Sequence, residues 1–193
     1  MIPKRIHYCW FGRKPLPADV EKYIESWKHY CPDYEIIRWD ESNFDVTENE
    51  YCREAYDNKK YAFVADYVRL KVVYDYGGIY MDSDVEVVKN MDGLLPYNVV
   101  VGYESNIGIM TGTYGACKNN SLIKIFLDYY NGRKFVMPDG SFDLTTNVVI
   151  ITNIIKNKYN YILDGKRNVI DDGVLILPFD YLCAKRLICL LYT

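Results

Sequence analysis

One long segment, Tyr61–Tyr76, carries neither proline nor glycine, is closed by Gly77-Gly78, and runs on at once into Ile79-Tyr80-Met81-Asp82-Ser83-Asp84. Apolar and aromatic residues cover most of its circumference on a helical period. This predicts a helix buried on nearly every side. The glycine pair stops it, and the apolar run behind the pair reads as a strand. Two charged residues, Asp66 and Arg69, interrupt the apolar surface three positions apart and so share one face. They brace the helix as a buried ion pair, or they serve a ligand, with Asp66 accepting sugar hydroxyls and Arg69 holding phosphate. The second role requires that one reversal at the glycines return Asp82 to the level of the helix start. Spacing leaves the two roles equal.

The surrounding pattern points to an α/β fold. Ile6–Trp10 reads as a buried strand and Phe11–Pro17 as a turn. Ala18–Tyr30 reads as an amphipathic helix, with Val20, Tyr23, Ile24 and Trp27 on one side, and Tyr34–Trp39 as a second strand. Strand, helix and strand in so short a span imply a parallel pair. Further helices are expected over Glu48–Asn58, Ser121–Tyr130 and Asp143–Lys156. Further strands are expected over Val99–Tyr103, Ile107–Tyr114 and Val174–Leu177, with Val85–Val88 continuing the strand that carries Asp82. The length of 193 residues suits one domain.

Asp82-Ser83-Asp84 is the sharpest chemical signal. In an extended segment the two carboxylates point the same way, about 6–7 Å apart. They repel unless a cation sits beside them. Mg²⁺ and Mn²⁺ accept few carboxylates and leave positions open for phosphate oxygens. Ligands of open α/β sheets bind beyond the carboxyl ends of strands. Such a triplet alone is more often a solvated turn; the Gly-Gly-Ile-Tyr-Met lead-in shifts the balance. A calcium loop is excluded, because Glu86 and Val87 stand where the third acid and the glycine belong. A phosphatase of the haloacid dehalogenase type, with Asp82 as nucleophile and Asp84 as acid/base, is the alternative. It expects Thr or Val where Glu86 stands, and its Asp pair on the first strand.

Composition excludes more than it selects. The net charge of −3 gives no electrostatic basis for binding nucleic acid. Twenty tyrosines suit sugar and base recognition, or simply a Tyr-rich core. The six cysteines, Cys9, Cys31, Cys52, Cys117, Cys183 and Cys189, and the two histidines, His7 and His29, build no zinc spacing. With no secretion signal at the N-terminus, reduced thiols in a cytoplasmic protein are expected. His7 reads as a satisfied strand residue. Trp10 reads by position as a core tryptophan, or as a stacking platform for a nucleobase at a strand's carboxyl end.

At Ile2–Gly12, Ala62–Arg69 and Tyr76–Asp84 the sequence resembles the family 32 glycosyltransferases with a sugar-binding Asp-x-Asp region. These include yeast initiating mannosyltransferases and bacterial capsule transferases. The match covers roughly residues 1–88, and Thr145-Thr146-Asn147 resembles a helix-start segment near the acceptor site. The resemblance implies a single GT-A type domain with a Rossmann-like mixed sheet flanked by helices. Residues 1–88 form its nucleotide-sugar half and 89–193 its acceptor side. It implies base stacking by Trp10, donor sugar or ribose contacts from Asp66, Arg69 and Tyr80, a substrate contact from Asn147 on the acceptor side, a direct Mn²⁺ or Mg²⁺ ligand in Asp84, and ribose or metal-bound water on Asp82. The clostridial glucosylating toxins share the Asp-x-x-Arg and Tyr-x-Asp-x-Asp arrangement.

The expected reaction is retaining transfer of a hexose from a UDP- or GDP-sugar to a glycan or lipid-linked glycan in surface polysaccharide synthesis. Asp82, Asp84 and Arg69 are its catalytic group, and Glu104 is a candidate acceptor contact. The expected location is the cytoplasm, with peripheral association at the inner face of the membrane. The family ordinarily continues into a segment with His and a Ser-Trp pair. Here no His follows His29 and no Trp follows Trp39. A shortened C-terminus, and with it a donor-binding remnant with little turnover, is therefore the non-enzymatic alternative.

Overall fold

The computed structural model describes residues 1–105 and 108–182. The first βαβ unit comprises strand β1 (Arg5–Cys9), helix α1 (Ala18–Tyr30) and strand β2 (Glu35–Trp39). β1 and β2 pair in parallel, with Ile6 opposite Ile36 and Cys9 opposite Trp39. Helix α2 (Glu50–Asp57) follows, capped by the Asn49 side chain, which accepts the Cys52 N–H. Helix α3 (Tyr61–Tyr76) then leads into strand β3 (Gly78–Met81), which lies parallel to β1.

The second half adds strands β4 (Val99–Ser105), β5 (Gly108–Ile109) and β6 (Thr113–Ala116), and helices α4 (Ser121–Asp128) and α5 (Asn147–Tyr159). It closes with strands β7 (Asn168–Ile170) and β8 (Val174–Leu177) and helix α6 (Phe179–Leu182). The sheet runs β2-β1-β3-β6-β4-β8-β7, with β5 beside β4. β6 is antiparallel to both its neighbours, and β4 and β8 are parallel. This is the mixed, Rossmann-like sheet of the GT-A architecture.

Side chains alternate across the sheet with the strand period of two. Cys9, Tyr80, Val99, Val101, Tyr103, Tyr114, Val174 and Ile176 pack under α2, α3, α4 and α5. Ile6, Tyr8, Ile79, Met81, Val100, Leu175 and Leu177 pack against α1 and the segment around Val87, Met91 and Leu95. Both faces are covered, which is why these strands read as apolar runs rather than as alternating patterns.

The turn between α3 and β3 sets the geometry of everything downstream. Gly77 sits at φ 65° and Gly78 at φ 121°, values that side chains resist. A Cβ on Gly77 would lie 2.6 Å from the Lys118 nitrogen and 2.9 Å from the Pro3 ring, and one on Gly78 would lie 2.9 Å from His7 Nε2. The reversal therefore needs glycine for space as well as for dihedrals. His7 fills the remaining volume as a neutral ring. Nδ1 accepts the Trp39 indole N–H, so Nε2 carries the proton and donates to the Gly77 carbonyl. Burial lowers its pKa.

Three expectations need correction, and one strand, β7, was not foreseen. Val85–Val88 does not extend β3: the Val85 N–H bonds back to the Asp82 carbonyl at 3.1 Å, turning the chain at Ser83-Asp84. α5 begins at Asn147, not Asp143. Asp143 binds the Arg133 side chain at 2.7 Å and takes the Thr145 N–H at 3.1 Å, a local turn that competes with helix. The single strand expected over Ile107–Tyr114 is two, β5 and β6, broken at Thr111-Gly112; Ile107 itself lies outside the described residues. β7 is short and half-buried at a sheet edge, and three residues show no readable alternation. Cys9, Cys31, Cys52 and Cys117 are free thiols. Cys183, Cys189 and the C-terminal run Leu187–Thr193 lie outside the described residues. Among the described residues no helix is long and apolar enough to cross a membrane.

Candidate active site

The lengths of α3 and β3 explain why Arg69 meets Asp82. From Arg69 to the end of α3 is seven residues, about 10 Å at 1.5 Å each. From Gly78 to Asp82 is four strand steps, about 13 Å at 3.3 Å each. The reversal at the glycines makes the two runs nearly equal. Asp82, one residue beyond Met81, points to the Tyr80 side of the sheet, toward α3. Its Oδ1 lies 3.3 Å from Arg69 Nη2, which is also 3.3 Å from Asp66 Oδ1. The Tyr80 hydroxyl donates to the same Asp82 oxygen at 2.8 Å, and the guanidinium stacks over the Tyr80 ring, 4.8 Å from its centroid.

Arg69 is buried, and each of its nitrogens faces a protein acceptor. Nε donates to the Ala65 carbonyl at 3.1 Å and Nη1 to the Thr111 carbonyl at 2.8 Å. Nη2 is shared by the two carboxylates. The Arg69 carbonyl accepts the Tyr114 hydroxyl at 2.8 Å. A fully engaged guanidinium is an organiser of carboxylates, so the expected direct grip of Arg69 on phosphate has no free donor here.

Asp66 is buried at the same junction, and burial pushes its pKa up to about 6, with Arg69 opposing and Asp82 adding to the rise. The Asn147 amide donates to the Asp66 carbonyl at 2.7 Å, and its oxygen accepts the Tyr130 hydroxyl at 2.6 Å. Asn147 thus locks the start of α5 onto the middle of α3. Tyr80 and Asn147 are almost wholly buried with their polar atoms engaged. Both shape the site from behind: the hydroxyl of Tyr80, expected to touch the donor, and the amide of Asn147, expected to touch substrate on the acceptor side, are spent on protein partners.

Three residues remain at the surface. Asp84 is exposed on the turn. Trp10 follows the carboxyl end of β1 and is half-buried, with its indole N–H donating to the Lys14 carbonyl at 2.8 Å. It packs against the α1 side of the core without being enclosed by it. Glu104, near the end of β4, has its pKa raised by burial and by the Asp82 charge, which places it within the field of the site. The Asp82 pKa is raised too, by burial first, with Arg69 and Tyr80 opposing and Asp84 contributing. Its side chain keeps 37% exposure.

The donor set fits a hard divalent ion. Among the described residues, Asp82 Oδ2 enters no hydrogen bond or ion pair, and Asp84 stands two residues on. No group of three or more His, Cys, Asp or Glu side chains gathers among those residues. An ion held here would take most of its ligands from phosphate and water, as Mg²⁺ does. The extended, same-side geometry expected for the two carboxylates is replaced by a turn: Asp82 faces inward and Asp84 outward.

Residues 17–101 match the model of the glycosyltransferase sugar-binding region containing a DXD motif. That region includes Asp66, Arg69, Tyr80, Asp82 and Asp84, but neither Trp10 nor the Thr111-Gly112 turn. The chain is similar to inositol phosphoceramide mannosyltransferase 3 of Schizosaccharomyces pombe, at 36% identity over 129 residues, covering 63% of this chain and 35% of that protein. It is similar to mannosyltransferase 2 of the same name and organism, at 26% over 187 residues, covering 94% of this chain and 54% of that protein. The chain therefore spans between about a third and about half the length of these curated relatives. Its fold resembles that of a solved structure titled PaToxG Glycosyltransferase, with a TM-score of 0.59 at 20% identity, covering 82% of this chain and 70% of that one.

The residues that sequence reasoning missed are Thr111 and Gly112, whose carbonyls hold Arg69 and the Asp82 backbone, and Cys9. Cys9 lies beneath Arg69, Tyr80 and Asp82, and burial pushes its thiol up to about 12. A glycine between two apolar runs was the available signal for the turn.

Proposed function

We propose that this chain transfers a hexosyl unit from a UDP- or GDP-sugar to a hydroxyl of a glycan or lipid-linked acceptor, with Mn²⁺ or Mg²⁺ as cofactor. One observation carries the reading: an inward Asp82 with one oxygen open and an outward Asp84, at the carboxyl end of parallel strands, braced by the buried Asp66–Arg69 pair. Asp84 and the open oxygen of Asp82 would hold the ion. When bound, it offsets the charge that develops on the departing diphosphate, an effect of several kcal/mol.

The chain's own residues orient. Arg69 and Tyr80 fix Asp82, and Trp10 offers a flat face at the mouth of the site for the nucleobase. In transfer, the bond from the anomeric carbon to the phosphate oxygen breaks, the acceptor oxygen bonds to that carbon, and the acceptor's proton passes to the leaving phosphate. The resemblance suggests attack on the same face. An open cleft of about 610 Å³ beside the start of α5, lined by Phe142, Leu144, Thr145, Thr146 and Val149 among others, adjoins Asn147 and is where an acceptor would approach. The names of the fungal relatives favour a lipid-linked acceptor over capsule polysaccharide. The phosphatase alternative expects its Asp pair after the first strand, whereas Asp82 follows the third, β3.

Equilibrium dialysis of UDP and GDP, with and without Mn²⁺, tests the proposal on wild type and Asp84→Asn. Mn²⁺-dependent binding is expected in wild type and a loss of at least tenfold in the variant. The variant's stability without ligand should move by less than about 0.5 kcal/mol, since Asp84 is exposed. Unchanged metal dependence in the variant would remove Asp84 from the site. Binding without sugar release would favour the donor-binding remnant.

A further inference from the structure

The turn between β5 and β6 reaches the site from the second half of the chain. The Thr111 carbonyl accepts Arg69 Nη1 at 2.8 Å, and the Gly112 carbonyl accepts the Asp82 N–H at 2.7 Å. A Cβ built on Gly112 would lie 2.9 Å from Asp82 Oδ2, the oxygen that Arg69 and Tyr80 leave open, and 3.5 Å from the Met110 methyl. Gly112 is not among the positive-φ glycines, so its backbone imposes no need for glycine. What demands a missing side chain is the space beside that one oxygen.

We infer that Thr111-Gly112 is the positioning element of the site: its carbonyls fix Arg69 and Asp82, and the bare Cα of Gly112 keeps Asp82 Oδ2 open to a cation-bound water or a ribose hydroxyl of a nucleoside diphosphate. This rests on the transferase reading above. Asp82 is held from three sides: by Arg69 from α3, by Tyr80 from its own strand, and by the Gly112 carbonyl from the facing turn. All three contacts involve Oδ1 or the backbone, and Oδ2 alone points into the space left by glycine. A methyl group there would push the carboxylate away from Gly112 and break the register of Oδ1 with Arg69.

Gly112→Ala tests this, with Gly93→Ala as control, since a Cβ at Gly93 meets nothing within 4 Å. The first readout is bound Mn²⁺ with UDP or GDP, counted from the loss of the free-ion electron paramagnetic resonance signal. Gly112→Ala should weaken Mn²⁺-dependent nucleotide binding at least tenfold, and Gly93→Ala by less than twofold. The second readout is a double-mutant cycle of melting temperatures in metal-free protein, combining Gly112→Ala with Asp82→Ala. The destabilisation by Gly112→Ala should largely disappear once Asp82 is shortened, because the contact is then gone. Equal destabilisation in both backgrounds, or wild-type binding by Gly112→Ala, overturns the inference. If wild type shows no Mn²⁺-dependent binding yet the cycle shows coupling, the transferase reading fails and the positioning contact stands.

Discussion

The interior of the site and its rim are built on opposite principles. Inside, Asp66, Arg69, Asp82 and Tyr80 satisfy one another, and each of their positions is fixed by more than one contact. At the rim, Asp84 is exposed, and Trp10 is half-buried, packed by one side against the core and tied by one indole bond. The interior holds more negative than positive charge, two carboxylates against one guanidinium. That imbalance is tolerable only because the mouth of the site is open to water or to a cation. On the proposed function, the interior stores geometry and the rim is the part that would meet the ligand. Variants should divide accordingly: interior changes move stability, and rim changes move affinity.

The largest expected effect is at Arg69. Arg69→Met leaves two buried carboxylates facing each other without their cation, which should cost roughly 3–5 kcal/mol. The value should fall toward the lower end because Asp82 keeps 37% exposure and water can screen it. Chemical denaturation measures it. A cost below 1 kcal/mol would mean that the interior is not the rigid part.

Asp66 comes next. Its folded pKa, about 6, lies above the ordinary carboxylate value of 3.8, so the folded state holds the proton more tightly than the unfolded one. This contribution is fully present below about pH 4 and is lost as pH rises through about 6. The stability at stake is on the order of 3 kcal/mol. Asp82 shifts in the same direction and adds with the same sign. Asp66→Asn should flatten the decline between pH 4 and 6 in urea-unfolding curves; an undiminished slope would assign the proton elsewhere.

The smallest effect belongs to the rim. Trp10→Ala should weaken nucleotide binding by about 1–3 kcal/mol, the range for stacking of one base on an aromatic ring. It should leave the far-ultraviolet spectrum and melting profile close to wild type. Titration calorimetry with UDP and GDP reads the affinity. Global unfolding of this variant would return Trp10 to the core and erase the distinction between rim and interior.

Sequence alone determined the elements that local physics controls. Helices α1 and α3 follow their predicted bounds, because a 3.6-residue apolar period and a glycine stop leave little choice. The parallel β1/β2 pair follows from a short βαβ span, and the charged pair on α3 was visible as two polar interruptions in an apolar helix. The bounds that failed, at residues 85–88, 107–114 and 143–146, are those where a hydrogen bond to a distant or locally turned group overrules periodicity.

Only the tertiary structure decided how the site is assembled. Spacing left Asp66 and Arg69 equally suited to bracing a helix and to serving a ligand; their packing sets Arg69 between the Asp66 and Asp82 carboxylates, with its other nitrogens on the Ala65 and Thr111 carbonyls. Asp82 and Asp84 are neighbours in sequence, yet a turn sends one inward and the other out. Thr111 and Gly112, some thirty residues beyond the Asp pair, enter the site through backbone carbonyls and a missing side chain. A carbonyl carries no residue identity, and a glycine in sequence can mark a turn without showing which distant oxygen its missing side chain leaves room for.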